Sequence, residues 1–503
     1  MFLLPPTEDS RWRKRCTGVA RGLAAAMILS LCGAGSASPP GECDAASALL
    51  LEGHAEEAAS HFAELLRERP DSDCAVEGRV RSLVELDRWQ DALRESRQAH
   101  AGRPESVERR AALGEALYRA GLLAQAEELL AGEGSADARG SALSVLGLLR
   151  AASGRMEEAV GLMERAVGSS PHDPRVLLRA AEAARDRDQS IARLERYLDV
   201  SAGDDPDRIE AARGALRTLR ALGSRPVWVI ERGPERVEIP LQLLADGNGR
   251  ISGGVLRVEI GDPPRPVRVL LDTGSPGLFV VQRMARKRGF VPMSEETAFG
   301  GGGDQRHAAV RGRFPRIAIG DLVYRDALAS TTEEEFDPTG RYHGVLGASV
   351  FEGYQVTIDL RRGRLVLDPP DGTAGGSRFW TVAGQMLVEA TARGGETGLF
   401  LFDTGATTSV LDLSYAQGIA GVELLGRARI RGYGGPLEGA RVAAGARVRY
   451  LGRDTAEGPL RAVDLSIRSR LGGVQLAGYV GLDLLGGERW IIDPVARTVR
   501  VAD

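Results

Sequence analysis

Twice in this chain an apolar run ends on Asp-Thr-Gly: "LLDTGSPGLFVV" at 270–281 and "LFDTGATTSVL" at 401–411. A carboxylate set among Leu, Val and Phe is costly to bury unless something compensates it. A turn would explain one such motif. Here the motif returns with its surroundings. Asp272 and Asp403 are 131 residues apart, and "GVLGASVFEGYQVTID" (344–359) aligns without a gap to "GYVGLDLLGGERWIID" (478–493) at an offset of 134. Each Asp-Thr-Gly is followed, 75 and 78 residues later, by a glycine closing an apolar pair, Gly347 and Gly481. Any fold for this region must therefore accommodate two related lobes.

The texture around these copies is that of strands. Short runs such as "VEIPLQLL", "VRVLLD", "RIAIGDLVY" and "YQVTIDL" are punctuated by Gly after residue 226, which predicts an all-β region. The Pro/Gly/Ser stretch "DPPDGTAGGS" (368–377) reads as a linker. The lobes are expected over 230–370 and 378–503.

Before that region the pattern is helical. From 44 to 222 the chain is rich in Ala, Leu, Glu and Arg with apolar residues at helical spacing. The segments "GHAEEAASHFAELL", "RWQDALRESRQA", "GLLAQAEELLAG", "GRMEEAVGLMERAV" and "RDQSIARLERYL" repeat one another. Their reference alanines Ala58, Ala92, Ala126, Ala159 and Ala192 are separated by 34, 34, 33 and 33 residues. Turn signals in "RPDSD", "GRPES" and "SPHDP" fall between units. The period resembles that of tetratricopeptide repeats, whose stacked helix pairs share a continuous core. The resemblance implies an all-α solenoid that either docks a protein or peptide or merely spaces the next domain.

The two Asp-Thr-Gly copies and their downstream glycine triplets resemble the aspartic peptidases. The lobe size and the "VTIDLRRGRLVL" ending are most similar to bacterial retropepsin-like members, and two copies in one chain resemble the bilobal pepsin plan. The fold class expected is thus multidomain α + β: a tetratricopeptide-like solenoid followed by an all-β bilobal acid-protease fold. The implied reaction is endoproteolysis by a water held between Asp272 and Asp403. Two carboxylates that close together cannot both ionise cheaply, so one stays protonated.

The resemblance assigns the neighbours as well. Gly274 and Gly405 let the backbone approach the carboxylates. Thr273 and Thr404 hydrogen-bond across the lobe interface. Ser275 is placed to donate to the Asp272 carboxylate, whereas Ala406 has no hydroxyl to offer Asp403. The triplets ending at Gly347 and Gly481 support the two loops. A flap should cover the cleft, and two Gly-rich segments qualify: 298–310, with Phe299 and Gly300, and 430–442, with Tyr433 and Gly434. The alternative for each is an ordinary hairpin. His307 and His343 lie in polar stretches without evident partners. Asp359 and Asp493 occupy matching positions at strand ends and read as turn or pairing residues. Pro276, and Ser349 where the second copy has Asp483, depart from the family pattern.

The N-terminus carries "RWRKR" and then the apolar "GLAAAMILSLCGAGSA" (22–37), the layout of a secretory signal over 1–37. An uncleaved anchor and a lipoprotein site at "LSLC" are the alternatives. Export implies a periplasmic or secreted protein. Cys16 and Cys32 fall in that segment, leaving Cys43 and Cys74 as either a disulfide or two unpaired structural cysteines. No Cys/His cluster suggests a metal, no cofactor motif is present, and no later stretch is long and apolar enough to span a bilayer. A net charge of −4 without basic blocks gives no reason to expect nucleic acid. The partners expected are a peptide or protein substrate and a protein on the helical repeats. Two other functional readings remain: a non-catalytic peptide-binding scaffold on the same fold, and a dimer in which lobes pair between chains.

Overall fold

The computed structural model describes residues 41–132, 139–201, 203–302, 305–373, 375–392, 397–433, 435–455 and 458–502. The expected signal segment, with Cys16 and Cys32, lies outside the described residues, as does Gly434. The chain is α + β, with an all-helical part over 44–222 and a sheet-rich part over 229–501.

The turn signals foreseen between repeats become helix caps. Ser72, Ser106 and Asp173 accept hydrogen bonds from the N–H groups of Ala75, Arg109 and Arg175 at the starts of three helices. Ala58, Ala92, Ala126 and Ala159 each stand fourth in their helices, Ala55–Glu68, Trp89–Gly102, Leu123–Leu130 and Met156–Ser169, and all four are fully buried. The fifth expectation fails. Ala192 is exposed, and the fourth position of Arg187–Val200 is Ser190, whose hydroxyl donates to the Ala181 carbonyl at 3.0 Å. The last step is therefore two residues shorter than the repeat spacing implied. Neighbouring helices approach closely at glycines. A Cβ on Gly78, Gly114 or Gly147 would meet Phe62, Leu130 or Met163 at 2.2, 2.8 or 2.9 Å. Cys43 and Cys74 are joined in a disulfide that ties the first described helix, Asp44–Leu51, to Asp73–Glu85.

The two lobes repeat one strand pattern. Arg265–Leu271 leads into Asp272, and Leu278–Val281 leaves the loop. Gly344–Leu346 threads between them, parallel to the first and antiparallel to the second. In the other copy Gly478–Val480 threads between Thr397–Phe402 and Val410–Asp412 in the same senses.

A sheet shared by both lobes joins them. Gln355–Asp359 pairs antiparallel with Arg489–Asp493, and Thr357 sits opposite Ile491. Ile491 is the counterpart of Thr357 at the 134-residue offset, so a pseudo-twofold axis passes through this pair. Arg364–Asp368 and Val237–Pro240 extend the sheet on one side. Thr498–Val501 and Ser377–Val382 extend it on the other. Residues of both lobes, among them Leu271, Leu346, Phe402 and Val480, lie in one apolar core.

The helical part does not stand apart from the lobes. Leu117, Leu123 and Leu149 share an apolar cluster with Trp380, Leu387, Leu399 and Leu401 of the second lobe. The last helix, Pro206–Leu222, packs along strand Val291–Phe299 of the first lobe, where Thr218 and Ser294 hydroxyls are 2.7 Å apart and buried.

Candidate active site

Each Asp arrives at the end of a buried strand and is anchored there by its own backbone. The Asp272 N–H donates to the Leu346 carbonyl (2.9 Å) and the Asp403 N–H to the Val480 carbonyl (3.0 Å). The downstream triplets therefore hold the two Asp-Thr-Gly loops directly. Their glycines run against loop backbone: a Cβ on Gly347 would lie 2.1 Å from the Ser275 carbonyl oxygen, and one on Gly481 2.8 Å from that of Ala406.

The threonines cross between the lobes reciprocally. Thr273 Oγ1 donates to the Phe402 carbonyl (2.6 Å) and accepts from the Thr404 N–H (3.0 Å). Thr404 Oγ1 donates to the Leu271 carbonyl (2.9 Å) and accepts from the Thr273 N–H (3.1 Å). Both threonines are 2% exposed, so these bonds form out of water and fix one loop against the other.

The glycines are equally reciprocal. A Cβ on Gly274 would meet Asp403 Cγ at 2.7 Å, and one on Gly405 would meet Asp272 Cγ at 2.6 Å. Neither residue has a positive φ. These positions are reserved for glycine by the opposite carboxylate and not by backbone strain.

The two carboxyl groups hydrogen-bond to each other. Desolvation pushes Asp272 well above the usual carboxylate range, and the Asp403 charge adds to it. Asp403 is also raised by burial. It is opposed by the hydrogen bond from Asp272, the Arg468 charge and two backbone donors, Gly405 N–H (2.8 Å) and Ala406 N–H (3.0 Å). Among the described residues the one backbone donor to Asp272 is the Gly274 N–H, at 2.9 Å. These backbone donors favour the ionised form at Asp403 over that at Asp272. Such a pair can hold one ionised and one protonated carboxyl near neutrality.

The expectation for Ser275 fails. The Ser275 hydroxyl donates to the Gly277 carbonyl at 3.2 Å, not to Asp272. The loop folds that carbonyl back within reach, and Asp403 gains an additional donor in the Ala406 backbone N–H. Pro276 does not disturb the Asp272–Gly274 bond. Asp483 accepts from the N–H and hydroxyl of Ser409, both at 2.7 Å, while Ser349 donates to the Pro276 carbonyl at 3.1 Å. Asp359 and Asp493 accept turn N–H groups, from Arg362 and from Gly372, Val495 and Ala496.

Asp272 and Asp403 line a cavity of about 1280 Å³. Phe299, Gly300 and Tyr433 line it too, so both flap candidates border the cleft. The first is a long hairpin, Val291–Phe299 with Arg306–Ile319. Its tip crosses to the second lobe, where Gly301 accepts from Tyr479 Oη (2.7 Å) and Gln305 donates to the Pro436 carbonyl (2.9 Å). The second ends in a short ladder, Arg431–Gly432 with Gly435–Pro436, and Tyr433 stacks on Phe336 at 4.7 Å. His307 has a partner after all: Nδ1 lies 3.3 Å from Glu334 Oε1 and the ring 4.9 Å from that of Tyr433.

Two groups of residues at this cavity went unread in the sequence. One is Arg468, whose charge acts on both carboxylates. The other is the helical array, whose Tyr118, Arg179, Glu182 and Arg208 line the same cavity. An arginine in "SIRSRLGG" carries no spacing signal, and inward faces of a solenoid are indistinguishable in sequence from outward ones. Among the described residues no cluster of His, Cys, Asp or Glu is arranged to hold a metal ion.

Residues 256–350, which contain the first Asp-Thr-Gly and its glycine triplet, match the family model of aspartyl proteases. This region is an aspartic-peptidase-like domain. No curated protein matches the chain. The family match ends before Asp403, so the peptidase-like character of the second lobe rests on the duplication and on the reciprocal geometry described above.

Proposed function

We propose that the chain is an aspartic endopeptidase in which Asp403, as the ionised member of the pair, takes a proton from water while Asp272 protonates the departing amide nitrogen. The observation that carries this reading is the reciprocal seating of the two loops, in which each lobe supplies one acid and the glycine that makes room for the other. A scaffold that only bound peptide would gain nothing from two desolvated carboxylates held together at a cost in stability. The helical repeats, read as tetratricopeptide-like, contribute a wall of the substrate cavity and a docking surface. The signal-like N-terminus and the Cys43–Cys74 bridge support an exported protein working in an oxidising compartment.

The test is incubation of the mature protein with a mixed peptide library between about pH 3 and 7, beside Asp272→Asn and Asp403→Asn. Cleavage by wild type alone is expected. Identical products from all three proteins, or none from any, would leave the scaffold reading in its place.

A further inference from the structure

Several arginines around the cleft are matched by a carboxylate. Arg306 forms a bidentate pair with Asp207, Arg341 pairs with Asp337 at 3.0 Å, and Arg470 reaches Asp205 at 3.4 Å. Arg311, on the flap hairpin, donates to Ser330 Oγ of the neighbouring strand Leu322–Thr332 at 2.9 Å. Arg468 likewise has no carboxylate partner among the described residues, and its charge acts on the acid pair itself. It lies on the short helix Ser466–Gly472 and is half-buried at the wall of the catalytic cavity. Its guanidinium donates to Tyr479 Oη at 3.0 Å and lies 5.6 Å from the centre of that ring. Among the described residues no carboxylate comes within ion-pair distance of it. Tyr479 also anchors the flap tip through Gly301, so Arg468 is held at the place where flap, second lobe and dyad converge.

A guanidinium withdrawn from water without a counter-ion is unfavourable. The pair Asp272/Asp403 supplies one negative charge to the neighbourhood but makes no ion pair with it. A planar fork with free donors in a substrate cavity is suited to bidentate binding of a carboxylate. The matching connection in the first lobe, 333–343, presents no such free cation, since Arg341 is neutralised by Asp337. These two matching connections are therefore not charged alike.

We propose that Arg468 is a specificity-determining residue, which receives an acidic side chain of the peptide substrate close to the scissile bond on the side of the second lobe. The proposal rests on the peptidase reading given above.

The experiment uses the full mature chain and paired peptides carrying Glu or Gln at the positions flanking the cut. At about pH 6 wild type is expected to favour Glu by about ten- to a hundredfold in kcat/KM. Arg468→Gln should abolish the ratio and Arg468→Lys restore part of it. The preference should fade toward about pH 3.5, where the substrate carboxyl is protonated. In parallel, fluorescence anisotropy of the same peptides on Asp272→Asn, with and without Arg468→Gln, reads binding without turnover. A Glu/Gln ratio near unity in wild type, a ratio unchanged in Arg468→Gln, or a shifted pH profile as the sole effect of that substitution would overturn the proposal. Should wild type cut no peptide, the peptidase reading fails, and the anisotropy ratio alone still decides for or against Arg468.

Discussion

Replacing Gly405 by Ala tests the reciprocal seating most directly. The new Cβ would stand 2.6 Å from Asp272 Cγ and 2.8–2.9 Å from its two oxygens. Carbon atoms in unstrained contact are about 3.5–4.0 Å apart, so the carboxyl must retreat by about 1 Å. Backbone strain does not confuse the result, because φ at Gly405 is not positive. Overpacking of this size costs about 1–3 kcal/mol of stability, which leaves a folded protein. The effect on chemistry should be larger in proportion, since a misplacement of about 1 Å lowers turnover by about a hundredfold. The assay is kcat and KM on a cleaved peptide beside the thermal midpoint. Gly274→Ala should behave alike, because its Cβ would meet Asp403 Cγ at 2.7 Å. Gly277→Ala is the control: it lies three residues on in the same loop, and its Cβ would meet nothing within 4 Å. A folded Gly405→Ala enzyme with kcat within about threefold of wild type would refute the argument that the opposite carboxylate reserves this position.

Three further outcomes are expected. Thr404→Val should lower stability by about 2–4 kcal/mol in chemical denaturation, since it orphans the Leu271 carbonyl and the Thr273 N–H, whereas Thr404→Ser should retain most of it. Asp272→Asn should raise the thermal midpoint at pH 7. The folded-state pKa of Asp272 is raised, so its stabilising contribution is complete only below the unfolded value of about 3.9 and is lost as pH rises. The gain from Asn should therefore shrink toward pH 4, and an equal gain at both pH values would contradict the assignment of the proton to Asp272. Residues 225–502 expressed alone should aggregate or bind a hydrophobic dye strongly, because removing the array uncovers Trp380, Leu387 and Leu399. A monomeric, dye-negative fragment would show the shared cluster to be dispensable.

What could be read in the sequence was what repeats. The 131- and 134-residue offsets identified both acids, their glycines and the supporting triplets, because a duplicated lobe must reuse the same local contacts. Helical periodicity likewise placed the buried alanines and the capping turns, since both follow from local spacing. The reading slipped wherever local spacing does not decide. Ala192 was misplaced because the last unit is two residues shorter, and only packing shows that Ser190 takes its place. Ser275 is expected to donate to Asp272, yet its hydroxyl turns to the Gly277 carbonyl and the additional donor at the pair is the Ala406 N–H, which has no sequence signature. The placement of the helical array over the cleft, and of Arg468 beside the dyad, comes from contacts between segments hundreds of residues apart. By itself the sequence determined that two acids exist and what kind of lobe carries each. Only the tertiary structure decided which carboxyl the backbone donors favour as the ion and what surrounds the pair, because desolvation and charge depend on neighbours in space and not on neighbours in the chain.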